Sequence, residues 1–174
     1  LQTSVVDVGG QGAAEFVDYD EDGDLDLAIA GNPSDSKRSG AIYQGDGTGT
    51  FTKLNVGILD VRGDATVAWG DMEGDGDLDL LVAGSDADGG SIKTVLYRNV
   101  WDTSFVDTGA NLPDLRRVDA DWGDTNGDGV LDLALLGLGN NGNDVTTIYR
   151  SDGDGSPVVA SDLAVASELR DVDL

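Results

Sequence analysis

The 174-residue sequence contains no cysteine and no histidine. Without these side chains the protein forms no disulfide bond and no thiolate or imidazole zinc site. Cysteine nucleophiles and histidine-based acid–base catalysis are excluded for the same reason. The lack of cysteine does not assign a compartment, because many bacterial secreted proteins have no disulfides.

Basic residues and long hydrophobic runs are also scarce. The chain has 10 Lys and Arg against 34 Asp and Glu, which gives a formal net charge of −24. This balance argues against nucleic acid and anionic membranes as partners, since both require basic patches. The most apolar stretch, LALLGLG from Leu133, is too short to cross a bilayer, so we expect no membrane insertion. The chain begins at Leu1 without a signal-peptide pattern, and we interpret it as processed, excised or partial.

The acidic residues that are present concentrate in three similar stretches. They read DYDEDGDLDL from Asp18, DMEGDGDLDL from Asp71 and DTNGDGVLDL from Asp124, so their starts are 53 residues apart (71 − 18 and 124 − 71). All three fit the pattern D-x-[DEN]-x-D-G-x-x-D, and we call them loops 1 to 3 with positions 1 to 9. Positions 1, 3, 5 and 9 are occupied by Asp18, Asp20, Asp22 and Asp26 in loop 1, Asp71, Glu73, Asp75 and Asp79 in loop 2, and Asp124, Asn126, Asp128 and Asp132 in loop 3.

The repeat extends well beyond the acidic loops. An aromatic residue precedes each loop at Phe16, Trp69 and Trp122, and a tyrosine follows each at Tyr43, Tyr97 and Tyr149. Between these landmarks, short apolar runs with period-two alternation are separated by Gly, Asp, Asn and Ser, and no segment shows a helical stripe. Four short strands per unit predict an all-β fold built from four-stranded antiparallel β-propeller blades.

The repeat divides the chain into about three full blades with a partial strand set at each end. We predict a single β-propeller segment over 1–174, with repeats at approximately 11–63, 64–116 and 117–169. Residues 1–10 read as the last strand of a preceding blade and 170–174 as the first strand of a following one. Because propellers typically close with four to eight blades, we expect either a homo-oligomer or the remainder of a longer propeller to complete the ring. An open three-blade stack is the third alternative.

The loop spacing predicts a hard-cation site. Side chains at positions 1, 3 and 5 of a tight loop can direct oxygens to one centre, the glycine at position 6 permits the turn, and position 9 returns a carboxylate. Such a cage suits Ca²⁺, with six to eight oxygen ligands, better than Mg²⁺, which retains its waters. Position 7, which offers its backbone carbonyl, is Asp24, Asp77 or Val130. We therefore predict about three Ca²⁺ sites, one per full repeat.

Two other interpretations of the loops fit the sequence less well. A helix-flanked calcium loop needs a glutamate at position 12, where this sequence has the apolar residues Ile29, Val82 and Leu135. Simple polar turns would also favour Asp, Asn and Gly. Turn chemistry does not require an aspartate at position 9, however, so calcium binding is favoured.

The segments VAWGDMEGDGDLDLLVAG and ADWGDTNGDGVLDLALLG resemble the FG-GAP/VCBS-type calcium-binding repeats of integrin α-subunit propellers and many bacterial secreted proteins. The first repeat departs from the aromatic–glycine pair with Phe16-Val17. The resemblance implies that the ions are mainly structural and that the protein is extracellular or at the cell surface. It does not identify a ligand, because propellers host many functions.

We therefore expect a non-catalytic recognition, adhesion or scaffold module in which Ca²⁺ braces the loops between the first and second strands of each blade. Its ligand would be an unknown protein or carbohydrate. One alternative is a self-assembling structural subunit that completes a propeller by homo-oligomerisation. A second is the non-catalytic propeller part of a secreted polysaccharide-active enzyme. Catalysis by the chain itself is not expected, because almost all ordered carboxylate pairs belong to the metal loops.

Three further features were considered. The tripeptide Arg62-Gly63-Asp64 matches an integrin-recognition motif, but a bare tripeptide in a Gly- and Asp-rich chain is favoured as a chance match. The aromatic residues Phe16, Trp69 and Trp122 are predicted to pack in the core, and the three tyrosines at blade interfaces. Trp101 has no aromatic counterpart in the other repeats and is the best single candidate for a surface contact, although packing of its ring onto its own loop is favoured over ligand binding.

Overall fold

The computed structural model describes residues 12–31, 39–61, 63–85, 91–101, 104–139, 141–151, 153 and 158–159. Within these ranges the chain is all-β, as predicted, and forms three four-stranded antiparallel sheets. None of the described segments is a helix long and apolar enough to span a membrane. The predicted terminal strands at 1–10 and 170–174 lie outside the described residues.

In each sheet the strands follow one another in chain order. Sheet 1 consists of β1 (Ala13–Val17), β2 (Asp26–Gly31), β3 (Ser39–Gly45) and β4 (Phe51–Lys53). Sheet 2 consists of β5 (Gly63–Gly70), β6 (Asp79–Ser85), β7 (Ile92–Val100) and β8 (Ser104–Asp107). Sheet 3 consists of β9 (Leu115–Gly123), β10 (Asp132–Gly139), β11 (Asp144–Arg150) and β12 (Val158–Val159). Sheets 2 and 3 thus begin slightly before residues 64 and 117, where the second and third repeats were placed.

The three sheets pack side by side as blades. The first strand of sheet 2, β5, contacts β1 on one side and β9 on the other. Strand β6 reads as a continuous apolar run because both of its faces are buried. Leu80 and Val82 belong to the core shared with sheet 1, whereas Leu81 and Ala83 belong to the core shared with sheet 3. The middle sheet is therefore covered on both faces by its neighbours.

A glycine sets the close approach of sheets 2 and 3. A Cβ atom at Gly70 would lie 2.4 Å from the indole ring of Trp122, a distance that no side chain tolerates. Packing therefore explains the aromatic–glycine pair ahead of loop 2. Trp69 packs in the core shared by sheets 1 and 2, and Gly70 leaves room for Trp122 of sheet 3.

The aromatic residues that precede the loops do not all lie in the core. Trp69 is buried and stacks on Tyr19 with ring centroids 5.7 Å apart. Trp122 is partly buried and packs on the second core. Phe16, by contrast, is 58% exposed, so the prediction of core packing is wrong for this residue. The three repeat tyrosines, Tyr43, Tyr97 and Tyr149, are all buried.

We expect Leu81→Ala to destabilise the protein by about 2–5 kcal/mol, because Leu81 is fully buried between sheets 2 and 3 and its removal leaves a cavity. Urea denaturation monitored by circular dichroism measures the change. The matched control is Val106→Ala on β8, where the side chain is half exposed and the loss should stay below about 1 kcal/mol. Equal losses in the two variants would contradict the two-sided packing of β6.

Candidate metal centres

Each acidic loop connects the first strand of a sheet to the second: loop 1 joins β1 to β2, loop 2 joins β5 to β6, and loop 3 joins β9 to β10. This is the position that the sequence predicts for them. The first and second strands pair directly up to the loop, as Val17 with Asp26 and Gly70 with Asp79 show. Each loop is consequently held at both ends by an antiparallel ladder.

The aspartate at position 1 closes each loop on itself. Its Oδ2 accepts the backbone N–H of the position-6 glycine at 3.1 Å in loop 1, 3.0 Å in loop 2 and 2.9 Å in loop 3. These glycines, Gly23, Gly76 and Gly129, have φ angles of 92°, 98° and 90°. L side chains rarely adopt this conformation, which explains why the motif requires glycine at position 6.

The residue at position 5 holds the second half of the turn. Its Oδ1 accepts the backbone N–H of position 7 at 2.9 Å from Asp24, 3.1 Å from Asp77 and 2.9 Å from Val130. Because this contact uses the main chain, the side chain at position 7 is free to vary between aspartate and valine. The contact also places the position-5 carboxylate inside the turn.

The aspartate at position 9 is buried in every loop and uses both carboxylate oxygens on the backbone. Asp79 accepts the N–H of Met72 at 2.9 Å and of Asn99 at 2.9 Å. Asp26 does the same with Tyr19 and Gly45, and Asp132 with Thr125 and Ser151. One side chain therefore ties the start of the loop to the end of the third strand. Sequence analysis assigned position 9 to the metal and missed this backbone role.

In sheets 1 and 2 the side chain at position 3 contacts the residue that follows the repeat tyrosine. Gln44 donates through Nε2 to Asp20 Oδ2 in sheet 1. Arg98 forms an ion pair with Glu73, with Nε and Oε1 3.1 Å apart, in sheet 2. The equivalent role of Gln44 was missed, although its position directly after Tyr43 was a usable signal.

Loop 1 brings three carboxylates together. One oxygen from each of Asp18, Asp20 and Asp22 lies within 4.8 Å of the others. Among the residues that the structure describes, these three form the acidic group that could hold a metal ion. Oδ1 of Asp18 is buried without a hydrogen-bond partner. A buried carboxylate oxygen with no donor, in a residue that belongs to a carboxylate cluster, has the chemistry that a bound cation satisfies.

Loops 2 and 3 differ from loop 1 at position 3. In loop 2 the longer Glu73 is mostly buried and turned towards Arg98. In loop 3 the residue is Asn126, which donates to Asp128 at 2.7 Å. The loops also differ at position 1. Oδ1 of Asp71 accepts the N–H of Gly74 at 2.7 Å and Oδ1 of Asp124 accepts that of Gly127 at 2.6 Å, whereas Oδ1 of Asp18 has no hydrogen-bond partner.

Burial and charge repulsion act on the buried position-9 carboxylates. Burial raises the pKa of Asp79 to about 8, and Glu73 adds to the rise, while the N–H groups of Met72 and Asn99 oppose it. Burial likewise raises the pKa of Asp26, with Asp20 and Asp22 adding to the rise. In loop 3, backbone hydrogen bonds led by Gly129 lower the pKa of Asp124. In loop 2, a negative charge on Asp79 in addition to that on Glu73 is therefore unfavourable unless a further group compensates it.

The remaining candidate features lie away from the loops. Gly63 is buried as the first residue of β5, while Arg62 lies outside the described residues, so the tripeptide is only partly placed. Trp101 follows β7, has a φ angle of 57° and is 82% exposed, so the favoured prediction that it packs onto its own loop is wrong.

Comparisons with known proteins agree with this architecture. Residues 18–82, which include loops 1 and 2, match the family model of the FG-GAP-like repeat. The chain thus carries an FG-GAP-type repeat. No curated protein matches the chain. This match with the family model confirms the resemblance to FG-GAP-type repeats that was inferred from the sequence. The match itself does not demonstrate a bound ion.

A solved structure shares the fold. The chain is similar to a lectin from Agrocybe aegerita, described as specifically recognising non-reducing terminal N-acetylglucosamine, with a TM-score of 0.52 and 15% identity. The match covers 86% of this chain and 37% of the lectin chain. At this identity the similarity concerns the fold alone, and the chain spans little more than a third of the lectin.

The raised pKa of Asp79 predicts a pH dependence of stability in chelator. Its ordinary value is 3.8 and its value in the fold is about 8. The folded state therefore retains a proton that the unfolded chain has released, so stability falls as pH rises between these values. We expect the melting temperature in chelator to fall from pH 5 to pH 8, and Asp79→Asn to flatten this slope. The exposed control Asp144→Asn should keep the wild-type slope; identical slopes for all three proteins would contradict the assignment.

Proposed function

We propose that the chain is a calcium-braced β-propeller module with a non-catalytic recognition role. The observation that carries the proposal is the convergence of the Asp18, Asp20 and Asp22 carboxylates, with a buried oxygen that no donor satisfies. Like charges at this separation repel one another, and a divalent cation turns the repulsion into attraction. Calcium fits better than magnesium because the loops offer many oxygens from the protein itself.

Loops 2 and 3 support the proposal through their shared frame. In all three loops position 1 accepts the N–H of position 6, position 5 accepts that of position 7, and position 9 accepts two backbone N–H groups. Position 3 is the main variable, since it is Asp20 in loop 1, Glu73 in loop 2 and Asn126 in loop 3. Because calcium affinity increases with the number of charged ligands, loop 3 should bind more weakly than loop 1.

The geometry of the acidic residues supports a non-catalytic role. The buried aspartates at position 9 already accept two backbone hydrogen bonds each, as Asp79 does from Met72 and Asn99. A carboxylate fixed in this way is a structural link and a poor proton shuttle. The chain also lacks histidine, the most common general base.

Recognition of a carbohydrate or protein is proposed from the exposed surface. Trp101 presents a large aromatic ring to solvent, and such rings stack on sugar rings and fill protein interfaces. The shared fold with an N-acetylglucosamine-binding lectin is compatible with a sugar ligand. An extracellular or cell-surface location completes the proposal, because weak calcium sites are filled where calcium is abundant.

Calcium removal should lower the melting temperature of the wild-type protein sharply, because the ion is required to neutralise the converging carboxylates. We further expect Asp22→Ala to abolish binding at loop 1, and isothermal titration calorimetry should then find one calcium fewer per chain than in the wild type. For this titration the protein is first stripped of calcium with a chelator and is then titrated with calcium.

The matched control is Asp144→Ala, which removes an exposed carboxylate outside the loops. Its calcium stoichiometry should equal that of the wild type. An unchanged melt in chelator would show that calcium is not structural, and an unchanged stoichiometry in Asp22→Ala would show that loop 1 is not a site.

A glycan array probed with the calcium-loaded protein tests the recognition role. We expect binding to a restricted set of sugars, and Trp101→Ala should weaken it by about tenfold or more because a stacking surface is lost. Val106→Ala, another exposed apolar change on the same sheet, serves as the control. Undiminished glycan binding by Trp101→Ala would remove Trp101 from the ligand site.

A further inference from the structure

The residue that follows the repeat tyrosine differs in charge between sheets 1 and 2. In sheet 1 it is Gln44, whose neutral amide donates through Nε2 to Oδ2 of Asp20 at position 3 of loop 1. In sheet 2 it is Arg98, whose Nε lies 3.1 Å from Oε1 of Glu73 at position 3 of loop 2. The same strand position therefore meets position 3 with a neutral hydrogen-bond donor in one sheet and with a full positive charge in the other.

The carboxylate of Glu73 is buried, whereas its partner is not. The Glu73 side chain is 8% exposed and that of Arg98 is 49% exposed. Both carboxylate oxygens of Glu73 are buried and neither has a hydrogen-bond partner. Because burial disfavours an unbalanced charge, the guanidinium of Arg98 is the group that compensates Glu73. Its half-exposed side chain can nevertheless move away into water without crossing the protein core.

A guanidinium and a calcium ion compete for the same carboxylate. Arginine carries only N–H donors, so it cannot join the oxygen ligands of Ca²⁺, and its positive charge repels the ion. For Glu73 to bind calcium, its contact with Arg98 must therefore be weakened or lost. Asp20 has no such conflict, because a carboxylate can accept the hydrogen bond from Gln44 and still offer oxygen lone pairs to a cation.

The charge of the loops follows the same order. Loop 1 has six acidic residues among its nine positions, loop 2 has five and loop 3 has three. With every carboxylate ionised and Arg98 included, the formal charge at loop 2 is −4 (−5 + 1), against −6 at loop 1. Calcium affinity increases with the charge of the ligands. Loop 3 has no ion pair at position 3, because Asn126 is uncharged.

We propose that Arg98 is an internal cation of loop 2 that competes with calcium for Glu73. When calcium is scarce, the guanidinium compensates the buried carboxylate, and when calcium is abundant, the ion displaces it. Loop 1 has Gln44 in the equivalent place and depends on the ion itself. This inference rests on the proposed calcium binding and deepens it, since the residue after the repeat tyrosine would then set the calcium affinity of loops 1 and 2.

Calcium titration of the 174-residue chain followed by ¹H–¹⁵N NMR tests the proposal one loop at a time. The N–H groups of Gly23, Gly76 and Gly129 each donate to the position-1 aspartate of their own loop, so their resonances report on the three loops separately. In Arg98→Gln, we expect the calcium midpoint of Gly76 to fall by about fivefold or more, a usual size for the coupling of two linked binding events. The midpoint of Gly23 should not change.

The change caused by the variant is the test, and the order of the wild-type loops is not. Asp71 Oδ1 accepts the N–H of Gly74 at 2.7 Å, whereas Asp18 Oδ1 has no hydrogen-bond partner, so loops 1 and 2 differ for a second reason as well. The reciprocal variant Gln44→Arg brings the positive charge to loop 1, and it should raise the calcium midpoint of Gly23.

Two controls separate the ion pair from other effects of the substitution. Lys93→Gln removes one exposed positive charge from the same strand, at the end that pairs with Gly84 and lies away from loop 2. It should leave the calcium midpoint of Gly76 unchanged. Arg98→Lys keeps a positive charge, and its midpoint should lie nearer to the wild type than to Arg98→Gln. The dispersion of each spectrum shows whether the variant is folded.

The outcomes distinguish this inference from the proposed function. An unchanged or raised midpoint of Gly76 in Arg98→Gln would overturn the competition between Arg98 and calcium. An equal fall in Lys93→Gln would also overturn it, because the effect would then belong to the net charge of the chain. If calcium shifts none of the three glycine resonances in the wild type, the calcium-braced module itself is wrong.

Discussion

The buried aspartate at position 9 is the interaction on which each blade depends. Asp26, Asp79 and Asp132 each accept one N–H from the start of their own loop and one from the residue two places after the repeat tyrosine. Removal of this side chain would leave two buried N–H donors unsatisfied, which costs more than the hydrogen bonds themselves contribute. The same side chain joins three parts of a blade that are distant in sequence: the loop, the second strand and the end of the third.

The acidic loops therefore combine a scaffold role with a charge problem. Positions 1, 5 and 9 bind backbone N–H groups, so much of the turn is organised by the chain itself. The carboxyl groups that accept these hydrogen bonds lie close together. Burial and neighbouring acidic side chains raise the pKa of Asp26 and of Asp79. A cation would relieve the repulsion without having to create the turn. Loop shape and ion binding are in this respect separable properties of the motif.

The sequence predicted the class of fold and the location of the loops because these features repeat with a fixed period. Three in-register copies distinguish a structural pattern from chance, and the continuous apolar run in β6 reflects burial on both faces. The exposure of Phe16 could not be predicted, since its environment depends on a neighbouring blade and not on its own repeat. The second contact of each position-9 aspartate was hidden for a similar reason. Its partner, for example Asn99, lies 20 residues further along the chain, beyond any local motif.

The contact of Gly70 with Trp122 has a consequence for the spacing of sheets 2 and 3. A single missing methyl group lets the indole ring lie directly on the backbone, and a larger residue would wedge the sheets apart there. A larger residue at position 70 would therefore separate sheets 2 and 3 at their loop end and open the core that they share.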